Sequence, residues 1–337
     1  MEAFVLDPAN AAEAAGAVGA IIAEEVVVDR KVLFHKGHRI VAGDRERLAL
    51  VDRPLHAVRL GPEDVHEDEA GVRLAAAIAG SGVARSEPRQ SRVNLLAARK
   101  GLLRIDAAAL TGMNRLPGIA VFSLYDGLAV SAGKVLAGAK ITPVAIPAAT
   151  LLAAEAIGAR GPVVEVKAFL PLKVGVVTTE GMAERVRARF EETVERKIGW
   201  YGGTVLGFAA CPNDARLVAR AIDDFGAKGA KVILTGGGNT IDPLDAAVQS
   251  LTLLGAEMAA FGAPVHPGSM FWLAYRGQTP IFNLASCSMY SAATSADLVL
   301  PWIMAGERVT ADDIAGLGYG GLLEGKEYGF RFPPYDE

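Results

Sequence analysis

The residues best placed to do chemistry form one continuous run, Val232-Ile-Leu-Thr-Gly-Gly-Gly-Asn-Thr-Ile-Asp-Pro-Leu-Asp245. An apolar strand leads straight from Thr235 into Gly236, Gly237 and Gly238, and then to two carboxylates, Asp242 and Asp245. Glycines at the end of a buried strand let a ligand approach the backbone, whose N–H groups can cradle a phosphate. The carboxylates supply hard oxygen donors for Mg²⁺, or acceptors for a hydroxyl or amino group. A plain glycine turn followed by an Asp helix cap accounts for the same residues, and the sequence leaves both readings open. The run is not a Walker A loop, because no Gly-Lys-Ser or Gly-Lys-Thr follows, and it lacks the GxGxxG spacing of a dinucleotide site.

Three further loops follow strand-like runs: Thr178-Thr179-Glu180-Gly181, His266-Pro267-Gly268-Ser269-Met270, and Asn283-Leu-Ala-Ser286-Cys-Ser-Met289. Open parallel sheets bind ligands at the carboxyl ends of their strands. Four such loops could therefore line one pocket. His266 alone reads more readily as a surface or hydrogen-bonded histidine. Cys211 and Cys287 have no CxxC spacing and read as reduced thiols, with no base in view to activate Cys287.

The elements that must position these loops are regular after about residue 170. Lys173–Thr179, Thr204–Ala209 and Lys231–Thr235 are short apolar runs that predict buried strands. Between them, Met182–Lys197 carries Val186, Phe190 and Val194 at four-residue steps, the spacing of a helix face. Asn213 or Asp214 predicts the cap of a helix running to about Phe225. Asp242 predicts the cap of another, from Pro243 towards Leu254. Strands are expected around Glu257–Phe261 and Pro280–Leu284. The alternation predicts an α/β fold, with a mostly parallel sheet carrying helices on both faces.

The first half is less periodic and reads as a mixed α+β domain. Helices are expected at Arg45–Val51, Glu67–Ala79, Asn94–Leu103 and Asp106–Met113, and strands at Val26–Phe34, His56–Leu60 and within Gly118–Ile146. The chain then divides into residues 1–168, an α/β domain over 169–305, and a C-terminal tail over 306–337. The tail, with its glycines at 316–321, is expected to extend over another surface or a partner subunit.

Composition narrows the function classes. Of the 337 residues 51% are hydrophobic, too many for a disordered chain. The net charge of −4 is small and of the wrong sign for a general nucleic-acid binder. Glu2, Asp7 and Glu13 contradict a signal peptide, and no apolar run reaches the roughly 18–20 residues of a membrane span. The expectation is a cytoplasmic protein with neither a nucleic-acid nor a membrane partner.

The order of motifs from Val174 to Pro301 resembles the molybdopterin-binding domain of the molybdenum cofactor biosynthesis families, the molybdopterin molybdenumtransferase and gephyrin-like superfamily. The resemblance rests on Thr235–Asp245 and on Pro267-Gly268 about twenty residues later. Bacterial molybdopterin-binding proteins resemble it over nearly the whole chain. The shared features include Lys36-Gly37-His38, Glu67-Asp68-Glu69-Ala70, Arg92-Val-Asn94, Asn114, Leu298-Val-Leu-Pro301 and Gly318-Tyr-Gly-Gly-Leu322.

The resemblance implies a three-layer α/β/α domain that binds molybdopterin. It implies a role in cofactor biosynthesis, as transferase-type insertion of molybdate into the pterin or as handover of the cofactor. Thr179, Glu180, Thr235, Gly236, Gly237, Gly238, Pro267, Gly268, Ser269 and Ser286 would contact the pterin or its phosphate. Asp242 and Asp245 would hold Mg²⁺ and act in catalysis. A nucleotide, a molybdoenzyme and further copies of the chain in a homo-oligomer are the implied partners.

The departures bear on turnover. The usual Ser-Val-Gly is Asn239-Thr-Ile241, and the Leu-Pro-Gly loop is Leu284-Ala-Ser286. They favour a second reading, a non-catalytic carrier, chaperone or sensor of the cofactor. A third reading is an unrelated α/β enzyme acting on a phosphorylated small molecule.

Overall fold

The computed structural model describes residues 1–336, apart from 90, 180–182, 238–240, 285–292 and 324–325. The chain forms two compact units. The first comprises Met1–Ala98, Arg104–Asp126 and Ala132–Val166, and the second Arg99–Leu103, Gly127–Ser131 and Lys167–Glu337. Among the described residues no helix is long and apolar enough to cross a membrane.

In the first unit, a four-stranded antiparallel sheet contains β1 (Val83–Arg85), β2 (Val93–Ala97), β3 (Ile119–Ser123) and β4 (Val135–Ile141), in the order β3-β4-β2-β1. Helix α1 (Glu67–Ile78) packs on one face through Ala70, Leu74, Ala75 and Ile78. Helices α2 (Ala107–Asn114) and α3 (Ala148–Gly158) complete this part. Near the N-terminus, strands Glu2–Leu6, Ile21–Ile22 and Leu55–Arg59 form a smaller antiparallel sheet over Leu6, Ile22, Phe34, Ile40 and Leu55.

Two expectations for this half are corrected. Residues 94–103 form no helix. Val93, Leu95 and Ala97 are buried in alternation with Asn94 and Leu96, so the period of two prevails, and a separate strand runs over Gly101–Ile105. Helix α3 was not expected, since Pro143 and Pro147 obscured a helix that starts just after the second proline.

The second unit holds a six-stranded sheet in which strands and helices alternate from Lys173 to Leu253 and three consecutive strands follow. The chain runs β5 (Lys173–Thr178), α4 (Glu184–Trp200), β6 (Thr204–Ala210), α5 (Ala215–Ala227), β7 (Val232–Gly236) and α6 (Ala246–Leu253). It continues through β8 (Glu257–Phe261), β9 (Trp272–Arg276), β10 (Thr279–Leu284), α7 (Ser295–Met304) and α8 (Ala311–Gly316). The strand order is β6-β5-β7-β10-β9-β8. The first four are parallel, and β9 and β8 extend the sheet antiparallel.

Alternation along each strand builds two cores. Val174, Val176, Val232, Leu234 and Phe282 face one side, where they meet Phe190, Val194 and Ile198 of α4 and Val299, Leu300 and Ile303 of α7. Val177, Ile233, Trp272, Ala274 and Ile281 face the other, against Val218, Ile222 and Phe225 of α5 and Leu251 of α6. This is the three-layer α/β/α arrangement.

The tail differs from the extended strap expected. Thr310 and Asp313 form a capping box that starts α8. Beyond it, Tyr335 folds into its own unit, its ring edge-on to Trp200 and Tyr201 at centroid distances of 5.8 and 6.0 Å. Its hydroxyl donates to Asp297 over 2.9 Å, and Asp297 also takes Lys197 Nζ at 2.7 Å. Burial of the apolar rings and a buried carboxylate acceptor together hold the segment.

Candidate functional site

Strand register sets the site. Ala210, Thr178, Gly236 and Leu284 stand side by side at the carboxyl ends of β6, β5, β7 and β10. Strand β9 is antiparallel to β10, so its first residue, Trp272, lies near this same edge, paired with Phe261 at the end of β8. The connection over 262–271, which carries Pro267, Gly268 and Ser269, therefore falls on the carboxyl edge too.

The edge has a topological switch point. After β5 the chain crosses to β6 on one side, and then returns past β5 to β7 on the other. Connections leaving in opposite directions open a crevice between the ends of β5 and β7, the place where such sheets bind ligands. Thr179 sits there. Its backbone N–H donates to the Gly236 carbonyl over 3.1 Å, which ties the two strand ends together. Its side chain is buried, and Oγ1 has no hydrogen-bond partner among the described residues. A buried hydroxyl with nothing to bond is costly to fold, and such groups mark sites completed by something else.

The glycines beside it serve different needs. Gly236 is buried in β7, where a Cβ would come 3.2 Å from the Phe190 ring and 3.6 Å from Thr178 Cγ2. Gly237 is buried with φ +89°, a backbone region that side chains disfavour. Thr235 is buried one residue earlier.

The two aspartates divide their work. Asp245, not Asp242, caps α6: its Oδ1 accepts the Ala247 N–H at 2.9 Å, and the residue is only 6% exposed. Asp242 lies one turn earlier and is half-buried. Its Oδ1 accepts the Leu244 N–H and its carbonyl accepts the Asp245 N–H, each at 2.9 Å. The side-chain turn at Asp242 shifts the helix start by three residues, so Pro243 is not the first helical residue.

The outer wall is built on Gly268. Its φ is +115°, and a Cβ would lie 2.6 Å from the Ser295 backbone nitrogen. Ser295 Oγ donates back to the Gly268 carbonyl at 2.6 Å. Pro267 follows a cis peptide bond, and Ser269 is exposed. His266 is exposed and joined through its backbone to Gly321 and Leu323. Glu180, Gly238, Ser286 and Cys287 lie outside the described residues.

Three residues contribute in ways the sequence reading does not assign to them. Asn213 Oδ1 accepts the Ala246 N–H at 3.1 Å and holds the loop after β6 against the start of α6. Asn283 is fully buried and joins β10 to the 262–271 connection through Trp272 N and Met270 O. Cys211 donates its backbone N–H to the Thr178 carbonyl at 2.8 Å, and burial pushes its thiol up, so it stays protonated at neutral pH. An Asn two or three residues past a strand end is a usable signal for the first. The strand pairing behind the other two is not written in local sequence.

Among the described residues no group of three His, Cys, Asp or Glu side chains is placed to share a metal ion. Magnesium needs only one or two carboxylates when a substrate phosphate supplies the rest. Asp242 has the accessibility for that role, whereas the Asp245 carboxylate is enclosed at the helix start.

No protein-family model matches the chain, and no curated protein matches it. Among solved structures it is similar to one described as a molybdenum cofactor biosynthesis protein from Corynebacterium diphtheriae. The two share 14% identity over 43% of this chain and 98% of that one, with a TM-score of 0.27. It is also similar to a NadC deletion mutant in two crystal forms, each at 13% identity and a TM-score of 0.17. Those matches cover 48% and 55% of this chain, and 61% and 71% of theirs.

Proposed function

We propose that the second unit binds molybdopterin and acts in molybdenum cofactor biosynthesis, inserting molybdate into the pterin or handing over the finished cofactor. The observation that carries the reading is the orphaned Thr179 hydroxyl at the switch point, beside Gly236 and Gly237. A ligand with hydrogen-bonding oxygens or nitrogens would satisfy it, and the glycines would admit that ligand to the backbone. The ordered motifs from Val174 to Pro301, and their continuation through Gly318-Tyr-Gly-Gly-Leu322, resemble those of molybdopterin-binding proteins and favour molybdopterin among such ligands.

In this reading Thr179, Gly236 and Gly237 hold the pterin or its phosphate, with Glu180, Thr235, Gly238 and Ser286 as the neighbouring contacts. Pro267, Gly268 and Ser269 form the outer wall. Asp242 would hold Mg²⁺, whose charge neutralises phosphate and molybdate oxygens when it is bound. The chain's own contribution is positioning and electrostatics. A nucleotide, a molybdoenzyme and a second copy of the chain are the partners this role would engage, and the cytoplasm is where it would do so.

The carrier reading has one observation in its favour: Asp245, the second proposed metal ligand, is spent as a helix cap. Titration of molybdopterin into wild type and Asp242→Ala tests binding. No binding by wild type, or equal binding by the variant, rejects the assignment. Reconstitution with molybdate and Mg-ATP separates the alternatives: turnover supports the transferase, and tight binding without turnover supports the carrier.

A further inference from the structure

In the first unit, Arg89 and Arg92 face each other between β1 and β2. Each backbone N–H donates to the other's carbonyl, at 2.9 and 3.0 Å, so the two form a directly opposed antiparallel pair. Side chains of such a pair stand on the same side of the ladder, about 5.5 Å apart at the backbone. Two like charges held opposite one another are unfavourable. Neither arginine makes an ion pair with a carboxylate among the described residues.

The turn is nevertheless fixed. Ser91 adopts φ +65°, a left-handed conformation unusual for a residue other than glycine, and it is fully buried. Its N–H donates to Asp68 Oδ1 and its hydroxyl to the Ile141 carbonyl, each at 3.0 Å. Gly71 of α1 makes room, since a Cβ there would come 2.3 Å from the Ser91 carbonyl oxygen.

Arg92 is aimed as well as placed. Its Nε donates to Asn94 Oδ1 at 2.7 Å, and its guanidinium carbon lies 5.2 Å from the centroid of the exposed Phe122 ring. The two arginines, Ser86, Glu87 and Asn94 line a cavity of about 490 Å³. Among the described residues Glu87 is the single acid in that lining.

We propose that this cavity is an anion site for the phosphoryl group of a small molecule, bridged by the guanidinium groups of Arg89 and Arg92. Planar guanidinium forks match phosphate oxygens and give charge-assisted hydrogen bonds. An anion between the two arginines turns their mutual repulsion into a shared attraction. Phe122 then offers an apolar edge to whatever the phosphoryl group carries. The site is independent of the molybdopterin reading.

Inorganic pyrophosphate, titrated calorimetrically into the full chain at low ionic strength, tests it. Wild type should bind, and Arg89→Ala should bind about tenfold more weakly. Arg89→Lys should fall between them, because a point charge replaces a fork. Glu87→Gln should bind more tightly. Arg89 is exposed and makes no ion pair among the described residues, so Arg89→Ala should unfold no earlier than wild type. Thr179→Val should leave the Arg89-dependent part of this binding unchanged. The proposal is overturned if wild type does not bind, if Arg89→Ala binds as tightly as wild type, or if Thr179→Val abolishes the heat.

Discussion

Replacing Thr179 by Val should make the protein more stable and a poorer binder. Valine has nearly the shape of threonine and exchanges the hydroxyl for a methyl group. The residue is 7% exposed and its Oγ1 has no partner among the described residues, so folding the ligand-free protein strips water from that hydroxyl with no hydrogen bond from them in return. Leaving such a group unsatisfied costs about 1–3 kcal/mol. The backbone bond from Thr179 N–H to Gly236 does not involve the side chain and should survive. Thermal unfolding should therefore move up by about 2–4 °C for each kcal/mol recovered, the scale for a unit of roughly 150–250 residues. Molybdopterin affinity should fall about 3–10-fold for a lost neutral hydrogen bond, and further if the hydroxyl meets a charged oxygen. Differential scanning calorimetry and a binding titration on the same samples read both quantities. A lower midpoint would show that the hydroxyl supports the fold, and an unchanged affinity would show that it does not touch the ligand. Either result breaks the link between the orphaned atom and the site.

Gly268→Ala should cost at least about 2 kcal/mol, from its left-handed backbone and the 2.6 Å approach to Ser295; a wild-type denaturation midpoint would refute the clash. Asp297→Ala should cost about 3–5 kcal/mol, because Lys197 is then buried without its counter-charge. Adding Lys197→Met should recover much of that loss, as chemical denaturation of single and double variants would reveal. Burial pushes the Tyr201 and Tyr335 hydroxyls well above the ordinary tyrosine range. The unfolded chain releases those protons from about pH 10, while the folded one retains them. Stability should hold below that pH and decline above it, and Tyr335→Phe should lessen the decline in unfolding midpoint. Asp245→Ala should lose about 1 kcal/mol of helix-cap stability and Asp242→Ala markedly less, which equilibrium unfolding of the two variants compares directly.

How much was legible depended on whether a signal was local. Strands β5 and β7 read clearly because both faces are buried, and the half-buried edge strand β6 because it too is a short apolar run between glycines and charged helices. Helix α4 read clearly because Phe190 and Val194 face one core at the helical period. The same rule misread residues 94–103, where Leu95, Leu102 and Leu103 satisfy a loose helical spacing although they belong to two strands. Strand β9 went unseen because Phe271-Trp-Leu-Ala-Tyr275 is apolar without alternation and too short to separate strand from helix. Asp242 and Asp245 are equally good caps by residue type. Only the turn that Asp242 closes on Leu244 decides between them.

Strand order is the non-local fact that matters most. The sequence places glycine and hydroxyl residues after several strands, but it does not say which strand ends are neighbours. The pairing of Thr178 with Gly236 puts the Thr179 and Gly237 loops side by side at the one point where the connections diverge. The antiparallel β9 has an equally specific consequence. Were it parallel to β10, residues 262–271 would lie at the amino edge, away from the glycine loop. Because it runs the other way, the same ten residues return to the carboxyl edge, where Gly268 closes on Ser295 at the head of α7. Pro267 and Gly268 can thus belong to the site only through the reversal of β9, and substitutions that disturb the β9–β10 pairing should weaken ligand binding without touching a ligand contact. Asn283→Leu is the sharpest case. It removes the hydrogen bonds that tie β10 to Met270 of the connection and to Trp272 at the start of β9, while putting an apolar side chain of similar size in the core. Its stability loss should come with a greater loss of molybdopterin affinity than Asp297→Ala shows at equal destabilisation, and proportionate losses in the two variants would remove the outer wall from the site.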